Sequence, residues 1–253
     1  MQDITTILET QFLEQASGRR DSEPDRFARA KNMARQYAAV EHAVVVLSDL
    51  IANTSYVCYG AAAAALGLSD TTHDVQLDSI WEEKIFARIH PDDLQAKHMQ
   101  ELQFFHFLKG IPAPERCHYH VIRKLRMRDA SETYTNVLHR MYYLYDAETQ
   151  HTAFALCLYG FGYFPSGGIE GRIVNARTGQ FVDLADEQTN ILSVREREIL
   201  GMIHHGKQSK EIAAVLSISM NTVNRHRQNI LEKLRVNNSV EACRIASSFN
   251  WIR

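Results

Sequence analysis

Two helical stretches near the C-terminus are separated only by Ser217 and Ile218, and no other feature restricts the fold of this 253-residue chain as tightly. Two helices joined by so short a turn, the second longer and studded with polar side chains, form a helix-turn-helix. Capping chemistry brackets them. Ser193-Val194-Arg195-Glu196 reads as a capping box, whose Ser and Glu satisfy two orphan amides reciprocally. Its helix is expected to reach His204 or His205 and stop at Gly206. Ser209 is expected to start a second helix over Lys210 to Leu216, and Ser219 a third with Val223, Ile230 and Leu234 as its buried stripe. Ser239 is expected to start a fourth, with Ala242, Ile245 and Ala246 inward.

The face opposite the third helix's apolar stripe carries the chemistry. Asn221 and Arg225 are four residues apart, as are Asn224 and Gln228, so all four share one side. Asn, Gln and Arg make bidentate contacts with adenine and guanine edges in the major groove. Lys210, Arg227, Lys233 and Arg235 flank that face and can hold phosphates, which position without specifying sequence. The amides that begin at Ser219 would add an anion site. His226, between this face and the core, is expected to pack or touch phosphate. His204 and His205 suit a helix end by charge, and Arg195 and Glu196 are expected to form a structural ion pair.

These residues follow a family pattern. Leu192-Ser193-x-Arg195-Glu196-x-Glu198-Ile199-Leu200, Gly206, Lys210-Glu211-Ile212-Ala213, Leu216-x-Ile218-Ser219, Thr222-Val223, His226, Ile230, Lys233-Leu234 and Glu241-Ala242 resemble the LuxR/GerE-type helix-turn-helix. The resemblance covers residues 190–250, about a quarter of the chain. It implies a four-helix DNA-binding domain with the third helix in the major groove and the fourth often at a dimer interface. By motif position the resemblance puts Asn224, Arg225 and Gln228 in the base-reading places, and Lys210, Ser219, Asn221, Thr222, Arg227 and Lys233 are the expected contacts to the DNA backbone.

Charge sets this end apart. Residues 190–253 hold 10 Lys and Arg against 5 Asp and Glu, whereas the whole chain has a formal net charge of −2. A small basic module on a larger acidic one suits an end that meets a polyanion.

Upstream, helices are expected over residues 4–17 and from Ser22 to Tyr37 or Val40, strands over Ala43 to Leu50 and Ser55 to Tyr59, and short helices over Ala61 to Leu66 and Ser79 to Ile89. In His90-Pro91-Asp92-Asp93-Leu94, Pro91 is expected to halt one helix and Asp92 or Asp93 to cap the next, which runs to Lys109. Period-two runs follow over Cys117 to Arg128, Glu132 to Tyr145 and His151 to Tyr163. Together they predict one antiparallel sheet with helices on one face. This order, with Ile89 to Leu94 as the most specific element and Tyr56 to Leu68 as its strand–helix start, resembles a PAS domain over residues 41–163. Pro165, Gly167, Gly168, Gly171 and Gly179 give residues 164–190 a linker composition. Arg172 to Asn175 and Gln180 to Asp183 can pair there across Ala176 to Gly179. The fold class is α+β: N-terminal helices over 1–40 as the expected dimerisation element, a PAS-like domain over 41–163, a linker over 164–190 and a helix-turn-helix domain over 191–253.

Other classes fit poorly. No run approaches the ~18 apolar residues of a membrane helix, and the acidic start lacks the basic region of a signal peptide. Four dispersed cysteines read as reduced thiols, which places the chain in the cytoplasm. His118 and His120, beside Cys117, would share a strand face but lack a third and fourth ligand, so no metal is assigned. No histidine is marked for haem, and no cofactor is assigned. Residues 41–163 assemble no nucleophile with a base and an orienting group, so no enzymatic activity is expected. The expected partners are double-stranded DNA, a second copy of the chain and a small-molecule or protein signal at the PAS-like domain. The reading is a one-component transcriptional regulator. The alternative is an interaction module whose helix-turn-helix docks on RNA polymerase or another regulator without an operator of its own.

Overall fold

The computed structural model describes residues 24–68, 74–145, 152–162, 171–182, 191–234, 236, 238–248 and 251–252. The helix expected over 4–17, the Ser22 cap, Arg235 and the loop around residues 147–150 lie outside the described residues.

The first helix, α1 (Pro24–Glu41), precedes two strands, β1 (Val44–Asp49) and β2 (Thr54–Tyr59). A one-turn helix α2 (Ala62–Ala65), the short strand β3 (Val75–Leu77) and a second one-turn helix α3 (Glu83–Phe86) lead to α4 (Pro91–Lys109). A 3-10 helix over Ala113–His118 then opens the meander β4 (Tyr119–Arg128), β5 (Tyr134–Tyr145) and β6 (Thr152–Gly160). Helix α3 is much shorter than the expected 79–89, because Ser79 Oγ accepts from the Trp81 amide and holds the chain in a bend ahead of it.

All strands pair antiparallel in one sheet of order β3-β2-β1-β6-β5-β4-β7-β8. The last two are β7 (Arg172–Asn175) and β8 (Gln180–Val182), which turn across residues 176–179 as the hairpin pattern suggested. Strand β7 pairs with β4, so this part of the glycine-rich stretch extends the sheet.

Both faces of the sheet are covered, where helices on one face were expected. Ala30, Ala34 and Ala38, four apart on α1, bury against Val45, Leu47, Leu156 and Leu158 on the outer face. Small side chains allow close approach: a Cβ at Gly60 would lie 2.4 Å from the Ala43 carbonyl and 2.5 Å from that of Ala38. Helices α2 to α4 cover the inner face, with Leu66, Ile85, Leu102 and Phe104 packed against Val46, Val57, Leu125 and Met141.

The turn before α4 differs in detail from expectation. Pro91 is the first residue of the new helix, and His90 caps it by accepting the Asp92 amide. Asp93, expected as a cap, takes three hydrogen bonds from Arg126, at its amide (2.7 Å), Nε (3.0 Å) and Nη2 (2.6 Å). Burial works to raise this carboxyl, and the Arg126 bonds outweigh it and hold it below the ordinary aspartate value. The motif thus clamps the start of α4 to β4. The Cys117 cluster does not lie on one strand. His118 ends the 3-10 helix, and His120 in β4 stacks on Tyr142 with ring centroids 4.8 Å apart. Cys58, Cys157 and Cys243 are buried and Cys117 is exposed.

Candidate nucleic-acid interface

Four helices make up the C-terminal module: α5 (Val194–His204), α6 (Ser209–Leu216), α7 (Met220–Leu234) and α8 (Ser239–Ser248). The Ser193 capping box forms, with Ser193 Oγ accepting from the Glu196 amide at 3.2 Å and Glu196 accepting from the Ser193 amide at 2.8 Å. Gly206 takes a φ of +78°, the left-handed conformation that ends α5. Two other caps lie one residue ahead of the expected serines. Gln208 caps α6 through a reciprocal box with Glu211, and Asn238 Oδ1 accepts from the Glu241 amide at 2.9 Å to start α8. The displaced serines find other work: Ser209 and Ser239 accept from Nη1 and Nη2 of Arg227, at 3.0 and 3.1 Å. One guanidinium therefore ties α7 to both neighbouring helices.

The turn is built by Ser217, whose φ of +52° and ψ of +42° reverse the chain after α6. The Ile218 amide then closes on the Ala213 carbonyl at 3.1 Å. Ser219 opens α7, with its Oγ accepting from the Thr222 amide at 3.0 Å. The stripe Val223, Ile230 and Leu234 is buried as read from the sequence. That orientation leaves Asn221, Asn224, Arg225 and Gln228 exposed together on the opposite side, with Thr222 beside them and exposed Lys210 on α6. Positions 221, 224, 225 and 228 are one helical face, about two turns long.

Two expected backbone contacts are engaged inside the module. Arg227 is half-buried in its bonds to the serines. Lys233 Nζ lies 2.7 Å from Glu196, whose side chain is only 3% exposed. Glu196 therefore pairs with Lys233 and not with Arg195 as expected. Arg195 instead meets Glu198 at 2.7 Å and the Leu216 carbonyl at 3.2 Å. Burial alone would raise the Glu196 carboxyl; the hydrogen bond from Lys233 and the Ser193 amide reverse that and hold it below its ordinary value. Nothing in the sequence spacing marked this 37-residue separation, because the pair closes only once α7 packs on α5.

Residues 190–246 match the GerE family, described as bacterial regulatory proteins of the luxR family. The match falls on the C-terminal module alone, which is similar to luxR-family domains. Among curated relatives, the transcriptional regulatory protein DesR of Bacillus subtilis (strain 168) is 41% identical over 66 residues, 26% of this chain and 33% of DesR. The transcriptional regulatory protein UhpA of Escherichia coli (strain K12) is 43% identical over 63 residues, 25% of this chain and 32% of UhpA. This chain thus spans about a third of the length of either relative. Among solved structures, the phage VqmA–DPO complex aligns with a TM-score of 0.31 and 16% identity, covering 90% of this chain and 91% of that one.

Proposed function

We propose that this chain is a one-component transcriptional regulator that reads a specific DNA sequence through α7. The observation that carries the reading is the uninterrupted exposed face of Asn221, Asn224, Arg225 and Gln228 on a helix whose other side is fixed in a buried core. A rigid helix presenting amide and guanidinium groups is what major-groove readout requires. Asn224, Arg225 and Gln228 take the base edges. Lys210, Ser219, Asn221 and Thr222 hold phosphates, while Arg227 and Lys233 keep the helices in place behind them. The named relatives are themselves transcriptional regulatory proteins, which supports this assignment over catalysis.

The protein binds double-stranded DNA as a homodimer on two half-sites, roughly 34–36 Å apart. Its N-terminal domain is PAS-like and ligand-sensing. Support comes from two strands, intervening helices and a three-strand meander whose last strand returns beside β1. The domain extends past residue 163 to include β7 and β8. A ligand there biases which arrangement of the two DNA-binding modules is populated. The site of action is the cytoplasm, in keeping with a chain in which no described helix is long and apolar enough to cross a membrane. Selection of fragments from a genomic DNA library by the purified chain tests the reading. Enrichment of an inverted repeat, weakened by salt, is the expected result. No enrichment with or without added cell metabolites would overturn it and favour docking on another protein.

A further inference from the structure

Polar side chains stand at single positions of the otherwise apolar inner face of the sheet, and the strand register draws them together. Ser48 on β1 lies opposite Ser55 on β2 and Ala155 on β6; Cys157 lies beside Met141, and Tyr159 beside His139. From the helical side come Glu82, just before α3, and Lys97 and Glu101 on α4. Glu82, Lys97, Glu101 and His139 are 4%, 2%, 6% and 1% exposed. Lys97 Nζ meets Glu101 at 2.7 Å, an ion pair that is complete in itself. Glu82 receives Ser48 Oγ at 3.5 Å, the far limit of a hydrogen bond. A cavity of about 30 Å³ opens among these groups, lined by Ser48, Trp81, Glu82, Phe86, Lys97 and Cys157 with their neighbours. That is room for about two waters or one small head group.

The lining holds two carboxylates against one ammonium, so with both acids ionised it is one positive charge short. Buried carboxylates are normally paired, and an unpaired one gives up its charge instead. Next along β5 and β6, outside the cavity lining, both ring nitrogens of His139 and the hydroxyl of Tyr159 are fully buried and find no hydrogen-bond partner among the described residues. Such orphaned groups mark a place where a polar ligand or water belongs. The rings of Trp81 and Phe86, 6.3 Å apart, give the cavity aromatic walls, and Lys97 Nζ already lies 4.8 Å from the centre of the Phe86 ring.

We propose that this cavity takes the ammonium head group of a small primary amine, with Glu82 as its counter-ion and Trp81 and Phe86 against its carbon chain. The proposal rests on the ligand-sensing reading of the N-terminal domain and gives that ligand a chemical class. A metal ion is the competing occupant, since Glu101, His139 and Cys157 bring three ligand atoms within 4.8 Å of one another. It is disfavoured because Glu101, the only carboxylate of that cluster, is already held by Lys97 at 2.7 Å, whereas the ammonium is assigned to Glu82.

Binding is coupled to a proton. Burial first of all, then Glu101, pushes the Glu82 carboxyl up to about 7 against the pull of Lys97. The titratable groups facing it are Lys97 and Glu101 from α4 and Cys157 and Tyr159 from β6, with His139 and Tyr143 from β5 behind them. Below that pH an arriving ammonium must displace the Glu82 proton. Affinity therefore falls about tenfold per pH unit there, and binding releases close to one proton.

Titration calorimetry of the full chain tests this with n-butylammonium, n-butanol and butyrate, in buffers of different ionisation heat near about pH 6 and about pH 8. The amine alone should bind, more tightly at the higher pH and with proton release at the lower. Glu82→Gln, nearly the same size, should reduce amine affinity at least about tenfold while DNA binding and a single melting transition persist. Equal binding of butanol or butyrate would overturn the amine class but leave ligand sensing standing. Stoichiometric Zn²⁺ uptake lost in Cys157→Ser, without amine binding, would assign the cavity to a metal. Proton-free amine binding, or an unchanged Glu82→Gln, would overturn the role of Glu82. Silence of all three probes would remove the amine site, and DNA selection would still judge the regulator reading on its own.

Discussion

Lys233 Nζ lies 2.7 Å from the buried carboxylate of Glu196, so the last turn of α7 is anchored on the first turn of α5. One oxygen of Glu196, Oε2, accepts from both the Ser193 amide and Lys233 Nζ, so the capping box and the ion pair share it. Lys233→Met strands that carboxylate. The expected loss is about 1–2 kcal/mol, below that of a fully buried pair because Lys233 itself is partly exposed. Folding holds Glu196 below its unfolded value, so the pair contributes fully above about pH 4.3 and is lost as the pH falls through the lowered folded value. Urea denaturation at a series of pH values should therefore show the mutant and wild type converging in acid.

Arg227 donates to Ser209 and Ser239 and should act through the fold. Arg227→Ala is expected to cost about 1–2 kcal/mol of stability. Its DNA affinity should fall on specific and random fragments alike. The slope of log affinity against log salt should stay unchanged; a phosphate contact would instead lower its magnitude by about one.

Gly60 has backbone oxygens on the path of any Cβ, with Ala43 O at 2.4 Å and Ala38 O at 2.5 Å. Its amide also donates to Ala43 O at 2.9 Å. Neither carbonyl belongs to a flexible side-chain end, so Gly60→Ala must push α1 away from the sheet. A loss of about 2–3 kcal/mol is expected in thermal denaturation. A mutant of wild-type stability would show that α1 docks loosely.

How far the sequence could be read depended on how local each contact is. The Ser193 box, the Gly206 stop and the Val223–Ile230–Leu234 stripe are settled within two or three turns of one helix, and all appear as read. The cap at Gln208 is hidden because serine beside it is the stronger capping signal, and that at Asn238 because Asn238 and the adjacent Ser239 are equally good caps; both serines instead accept from Arg227. The pairing of β7 with β4 was hidden by a glycine-rich composition that also suits a linker. Least legible was the buried cluster of Ser48, Glu82, Lys97 and Glu101. Each stands alone in its own segment, and only sheet register and the packing of α4 bring them within reach.

The central claim is that Arg225 reads a base and does not merely add charge. Titrating wild type and Arg225→Ala, by fluorescence anisotropy, on a selected fragment and on a scrambled one of equal length tests it most directly. Base reading predicts a loss of about 1–3 kcal/mol on the selected fragment, relaxed preference at one position, and a far smaller change on the scrambled DNA. Equal losses on both fragments would make Arg225 a phosphate contact and contradict the assignment of this face to sequence readout.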